Sequence, residues 1–137
     1  MNSKHTFSFM LKYNMGIMDV KDVKKLLKKY GIRPSKRLGQ NFLIDKKVLK
    51  KIIGAANLSR NDVVLEIGPG IGNLTLELEK IVKKVIAVEK DRKMCQILKE
   101  SLESSNVRNV RIVNKDILKI KNDSMVQWFN GYKVVAN

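Results

Sequence analysis

Strands alternating with helices from residue 63 onward, a glycine-rich turn directly after the first of those strands, and an acid closing the second predict an α/β fold. Such alternation implies right-handed βαβ units on a parallel sheet, the Rossmann-like architecture. With 137 residues, 44% of them hydrophobic, the chain has material for a single core.

The elements follow in order. Val20, Val23, Leu26, Leu27 and Tyr30 recur at helical spacing between Asp19 and Tyr30, and Gly31 stands where a helix would stop. The polar side of that helix carries Lys21, Lys24, Lys25, Lys28 and Lys29, so it reads either as a solvated face or as one that meets phosphates; the neighbouring Arg33, Lys36 and Arg37 favour the second. Pro34 ends any helix there. A second helix is expected from a cap at Asp45 to about Asn57, with Val48, Leu49, Ile52 and Ile53 inward. The alternation then gives strand 63–67, helix 73–83, strand 85–89, helix 91–104, strand 110–113 and strand 132–136. Between Asp116 and Gly131 the pattern weakens, and Ile117, Leu118, Ile120, Met125, Val126, Trp128 and Phe129 read as a loop and short helix packed on the sheet.

Charge and composition narrow the partners. The formal net charge is +15, and residues 1–53 hold 14 Lys and Arg against 3 acids whereas residues 54–137 hold 14 against 10. A basic N-terminal part of this kind is drawn to polyanions such as RNA, DNA or an acidic membrane surface. Cys95 is the sole cysteine and His5 the sole histidine, which excludes disulfides and any Cys- or His-built metal site, and fits a reducing, cytoplasmic setting. No apolar run approaches the roughly 18 residues of a membrane span. Residues 1–17 contain no acid and no arginine, match neither a secretory nor a mitochondrial leader, and are assigned to an extension of unknown role; Met18 would serve as an alternative start.

The turn itself is Glu66-Ile67-Gly68-Pro69-Gly70-Ile71-Gly72. A dinucleotide site requires G-x-G-x-x-G, and here the third position is Asn73, which disfavours NAD. Glu89, about 20 residues on at the end of a strand, can accept two hydrogen bonds from a ribose diol. A third acid, Asp116, follows the next strand in Asn114-Lys115-Asp116-Ile117 and in isolation reads as a solvated loop acid.

The pattern Glu66-x-Gly68-x-Gly70-x-Gly72 resembles the first motif of the class I S-adenosylmethionine-dependent methyltransferases. Together with Lys36-Arg37-Leu38-Gly39-Gln40-Asn41-Phe42-Leu43-Ile44-Asp45, Glu89 and Asp116, it resembles the ribosomal-RNA adenine N6-dimethyltransferases across residues 18–137. The resemblance implies a Rossmann-like class I methyltransferase fold cut after its fourth strand, with S-adenosylmethionine as cofactor and no metal. By position it implies cofactor contacts at Asn41, Leu43, Gly68, Gly70, Glu89, Asp116 and Asn137. Glu89 would take the ribose and Asp116 the adenine. Asn137 would be the first member of the catalytic Asn-Leu-Pro-Tyr motif, while Lys36 and Arg37 would touch RNA. The implied partner is ribosomal RNA in a small-subunit precursor, and the implied role is adenine dimethylation in ribosome biogenesis.

Because the sequence stops at Asn137, residues 18–137 are expected to be the N-terminal part of a catalytic domain, inactive alone. Two alternatives are a macrolide-resistance type methyltransferase of large-subunit RNA and a noncatalytic RNA-binding or assembly protein. The Arg37-to-Asn41 stretch and the Pro69-Gly70 turn lean toward the small-subunit enzyme.

Overall fold

The computed structural model describes residues 18–33, 45–121 and 131–136. Its elements are α1 (Val20–Lys29), α2 (Lys46–Ala55), β1 (Val63–Ile67), α3 (Asn73–Leu78), β2 (Lys84–Glu89), α4 (Arg92–Ser104), β3 (Val110–Asn114), a 3-10 turn (Ile117–Lys119) and β4 (Lys133–Ala136). The four strands form one parallel sheet, as the alternation predicts, and stand in the order β3-β2-β1-β4. The order reverses beside β1, where β2 lies on one side and β4 on the other. Ligands of such sheets bind at the carboxyl ends of the strands next to that reversal.

Local signals set the boundaries of the longer helices. Asp19, Asp45 and Asp91 each accept backbone N–H bonds at the starts of α1, α2 and α4. Each of these helices is followed by a residue in the left-handed region: Gly31 (φ 62°), Asn57 (φ 46°) and Asn106 (φ 53°).

Helix α3 is shorter than the 73–83 expected from its apolar spacing. The Nδ2 of Asn109 takes the carbonyls of Glu79 and Val82 at 2.8 and 3.2 Å, and Lys83 N–H goes to the Asp62 carbonyl at 3.0 Å. These bonds come from residues distant in sequence and close the helix early.

Residues paired across β1 and β2 share a face. Val64 and Val85 lie on one side with Leu49, Leu74, Leu78, Val82 and Val135; Leu65, Ile86 and Val88 lie on the other, covered by Ile117 and Ile120. Helix α1 adds Val23, Leu26 and Leu27 to Ile71, Met94 and Ile97. Truncating a fully buried leucine such as Leu26 costs about 2–5 kcal/mol.

Three apolar expectations are corrected. Val48 is 41% exposed because it lies about 90° around the helix from the Leu49, Ile52, Ile53 stripe that faces the core. Val20, in the first turn of α1, is 47% exposed. Leu118 is 91% exposed, since the 3-10 turn directs Ile117 and Ile120 at the sheet instead. Met125, Val126, Trp128 and Phe129 lie outside the described residues.

Candidate functional site

The site begins where β1 ends. Gly68, Gly70 and Gly72 all take positive φ (68°, 57° and 95°), so the alternate glycines answer a backbone requirement. Their surroundings differ. A Cβ built on Gly68 has no atom within 4 Å, leaving open space over the exposed backbone, whereas one on Gly72 would stand 2.4 Å from Leu98 Cδ1. Gly68 therefore leaves its backbone open to solvent, and Gly72 lets the turn sit down on α4. Gly68 N–H is held by the Val88 carbonyl at 2.9 Å and Gly72 N–H by that of Pro69 at 3.0 Å.

Glu89 closes β2 beside this turn and is 8% exposed. Its Oε2 accepts from Gly70 N–H at 3.2 Å and its Oε1 from Asp91 N–H at 2.9 Å. Each oxygen keeps a further lone pair for a hydroxyl donor. Asn114, paired with Glu89 across the sheet, donates Nδ2 to the Glu89 and Lys90 carbonyls at 2.9 and 3.2 Å. Asp116, two residues beyond, is half-buried and accepts from Leu118 N–H at 3.0 Å. The glycine turn, Glu89 and Asp116 thus stand at the carboxyl ends of three adjacent strands, a spread of about 10 Å at the usual strand spacing.

Beneath the turn lies a second carboxylate. Glu66 is buried on the same sheet face, and its Oε2 accepts from the buried Thr75 Oγ1 at 2.7 Å. Burial pushes the Glu66 carboxyl up to about 7; the Thr75 hydrogen bond opposes that rise and the charge of Glu89 adds to it. An acid whose pKa is raised on folding binds its proton more tightly when folded. Stability is therefore expected to fall as pH rises from about 4.5 to 7 and to level off above, by on the order of 3 kcal/mol. Glu66→Gln should flatten that decline when melting temperature is followed from pH 5 to 8; parallel profiles for variant and parent would assign the decline to other groups.

Asn73, the residue that breaks the dinucleotide pattern, acts as a clasp. Its Oδ1 accepts from Met18 N–H at 3.1 Å and its Nδ2 donates to the Met18 carbonyl at 3.3 Å, which ties the start of α1 to the glycine turn. Cys95 is buried, with its thiol donating to the Glu89 carbonyl at 3.5 Å, and burial pushes it up to about 11. It is a small packing residue, as expected for a lone cysteine on a helix.

Residues 32–137 match the family model described as ribosomal RNA adenine dimethylase. The chain belongs to that family. A ribosomal RNA small subunit methyltransferase A of Clostridioides difficile is 46% identical over 117 residues, which cover 83% of this chain and 40% of the relative. Among solved structures, a dimethyladenosine transferase from Plasmodium falciparum superposes with a TM-score of 0.61 at 33% identity, covering 71% of this chain and 33% of that one. The 23S rRNA methyltransferase ErmE gives a TM-score of 0.54 at 38% identity, covering 59% and 32%. The chain thus spans about two fifths of the length of the curated relative it matches.

Membership in the dimethylase family agrees with the expected Rossmann-like methyltransferase fold. Of the residues singled out from sequence, Gly68, Gly70, Glu89 and Asp116 are gathered at one end of the sheet. Asn41, Leu43, Asn137, Lys36 and Arg37 lie outside the described residues. Sequence reasoning missed the roles of Thr75, Asn73 and Asn114; each is set by a partner 9 to 55 positions away. Among the described residues no group of three His, Cys, Asp or Glu could hold a metal ion, and no helix is long and apolar enough to cross a membrane.

Proposed function

We propose that this dimethylase-family site binds S-adenosylmethionine and serves N6-dimethylation of adenines in small-subunit ribosomal RNA. The observation that carries the reading is the junction of Glu89 with the glycine turn, where a buried carboxylate holds Gly70 N–H and keeps acceptor capacity beside the open, exposed backbone at Gly68. The absence of a third dinucleotide glycine favours a ligand without pyrophosphate. The cofactor, when bound, supplies a methyl group made electrophilic by its sulfonium.

The residues divide the work. Glu89 accepts the ribose hydroxyls, the Gly68 and Gly70 backbone faces the cofactor's methionine part, and Asp116 accepts from the adenine amine, with Asn41 and Leu43 completing the contacts. The exocyclic amine of the substrate adenine is a weak nucleophile because its lone pair is delocalised into the ring. In our reading the side-chain oxygen of Asn137 accepts a hydrogen bond from that amine and favours its localised, pyramidal form, as positioning catalysis requires. Ala136, the residue before it, pairs with Ile67 at the mouth of the glycine turn. Reaching a base for such chemistry requires that it leave its stack.

Small-subunit RNA is the favoured substrate because the curated relative at 46% identity carries that name. The structural likeness to ErmE keeps large-subunit RNA as the second reading. Labelled methyl transfer from S-adenosylmethionine to separated small and large ribosomal subunits, using the product of the intact gene, distinguishes them. Label in small-subunit RNA is expected; label confined to the large subunit favours the second reading, and salt-dependent RNA binding without label favours a noncatalytic assembly role.

A further inference from the structure

Helix α1 ends in a Schellman turn: Ile32 N–H returns to the Leu27 carbonyl at 2.8 Å and Gly31 N–H to that of Lys28 at 3.1 Å, with Gly31 at φ 62°. Beside the turn lies an open surface groove of about 440 Å3 lined by Lys24, Leu27, Lys28, Gly31, Ile32 and Arg33. Its floor is the apolar pair Leu27 and Ile32, its rim is three exposed cations, and among the described residues no acid lines it. The carbonyls of Leu26, Leu27 and Lys28 are occupied by Tyr30, Ile32 and Gly31 N–H, which reduces the repulsion a helix C-terminus would otherwise offer an anion. Of the acids near α1, Asp19 and Asp22 lie at its far end, and Glu100 accepts the Tyr30 hydroxyl.

We propose that this groove holds one nucleotide of the substrate RNA, with Lys24, Lys28 and Arg33 on the phosphodiester and Leu27 and Ile32 under the sugar. The proposal rests on the RNA-methyltransferase reading above and adds where the strand is gripped. Charge complementarity selects the occupant: the N-terminal 53 residues carry 14 basic against 3 acidic side chains, and the volume lies in the range of small-ligand sites. The groove is also fixed relative to the glycine turn. The Asn73 clasp holds one end of α1, Ile71 packs against its buried side, and the Tyr30 to Glu100 hydrogen bond pins the other end to α4. An RNA strand held there therefore keeps a constant relation to the methyl donor.

The test is binding of a small-subunit rRNA transcript by the full chain across a salt series, comparing the parent with the triple variant Lys24→Gln, Lys28→Gln, Arg33→Gln. A control removes equal charge from α2 through Lys47→Gln, Lys50→Gln, Lys51→Gln. The groove variant should bind roughly tenfold more weakly near 0.15 M salt, with a log–log salt slope reduced by about 2, while the control changes little. S-adenosylmethionine binding should persist in both variants, which reports an intact fold. An unchanged slope in the groove variant, or an equal loss in the control, overturns the proposal while leaving the methyltransferase reading intact. Absence of RNA binding by the parent would overturn both.

Discussion

Glu89→Ala is expected to weaken S-adenosylmethionine binding by about 100-fold or more. Two hydrogen bonds to a charged acceptor, each contributing about 1.5–3 kcal/mol, disappear with the carboxylate, and every 1.4 kcal/mol is a factor of ten in affinity. The loss has a second source. Glu89 also accepts from Gly70 and Asp91 N–H, so its removal frees the middle of the glycine turn and the cap of α4 together. Glu89→Gln, which keeps one acceptor oxygen of the same shape, should fall between the two. Titration calorimetry on the three proteins measures the series, and an affinity unchanged in Glu89→Ala would remove Glu89 from the cofactor site.

Gly72→Ala is expected to lower the melting temperature by roughly 10 °C. The left-handed conformation at φ 95° costs a non-glycine residue about 1–3 kcal/mol, and a Cβ 2.4 Å from Leu98 Cδ1 forces that side chain off its position at a similar cost. The two contributions separate in a double-mutant cycle. Leu98→Ala destabilises the parent by opening a cavity in a fully buried site, yet in the Gly72→Ala background it also removes the clash, so the two changes should combine to less than their sum. Additive losses would locate the cost in the backbone alone.

These two residues show what a sequence reveals about such a site. Glu89 is legible because its proposed role is tied to position, at the end of an apolar strand one βα unit after the glycine turn. Gly72 is legible as part of a pattern, although its reason, the approach of Leu98 from α4, is a tertiary contact. The parallel sheet and the capped ends of α1, α2 and α4 follow from local chemistry, since alternation, Asp caps and left-handed Gly or Asn residues all act within a few positions.

What sequence alone hid is set by distant partners. Asn73 reads as a defect in a dinucleotide motif until Met18, 55 positions earlier, is seen between its amide atoms. Glu66 reads as the first letter of a motif, and only its burial against Thr75 with Glu89 nearby makes it a proton-binding group near neutrality. The early end of α3 needs Asn109, 30 positions beyond the Glu79 carbonyl that it captures. Helical periodicity overreached at Val48 and Val20 for a related reason, because apolar spacing marks a stripe without fixing how far the neighbouring layer extends.

The most direct measurement is the nucleoside composition of small-subunit ribosomal RNA, isolated from unmethylated subunits after incubation with S-adenosylmethionine and the product of the intact gene. N6,N6-dimethyladenosine should appear in that RNA and be lost with Glu89→Ala. An RNA left unmodified, or methylation found only in large-subunit RNA, would contradict the account.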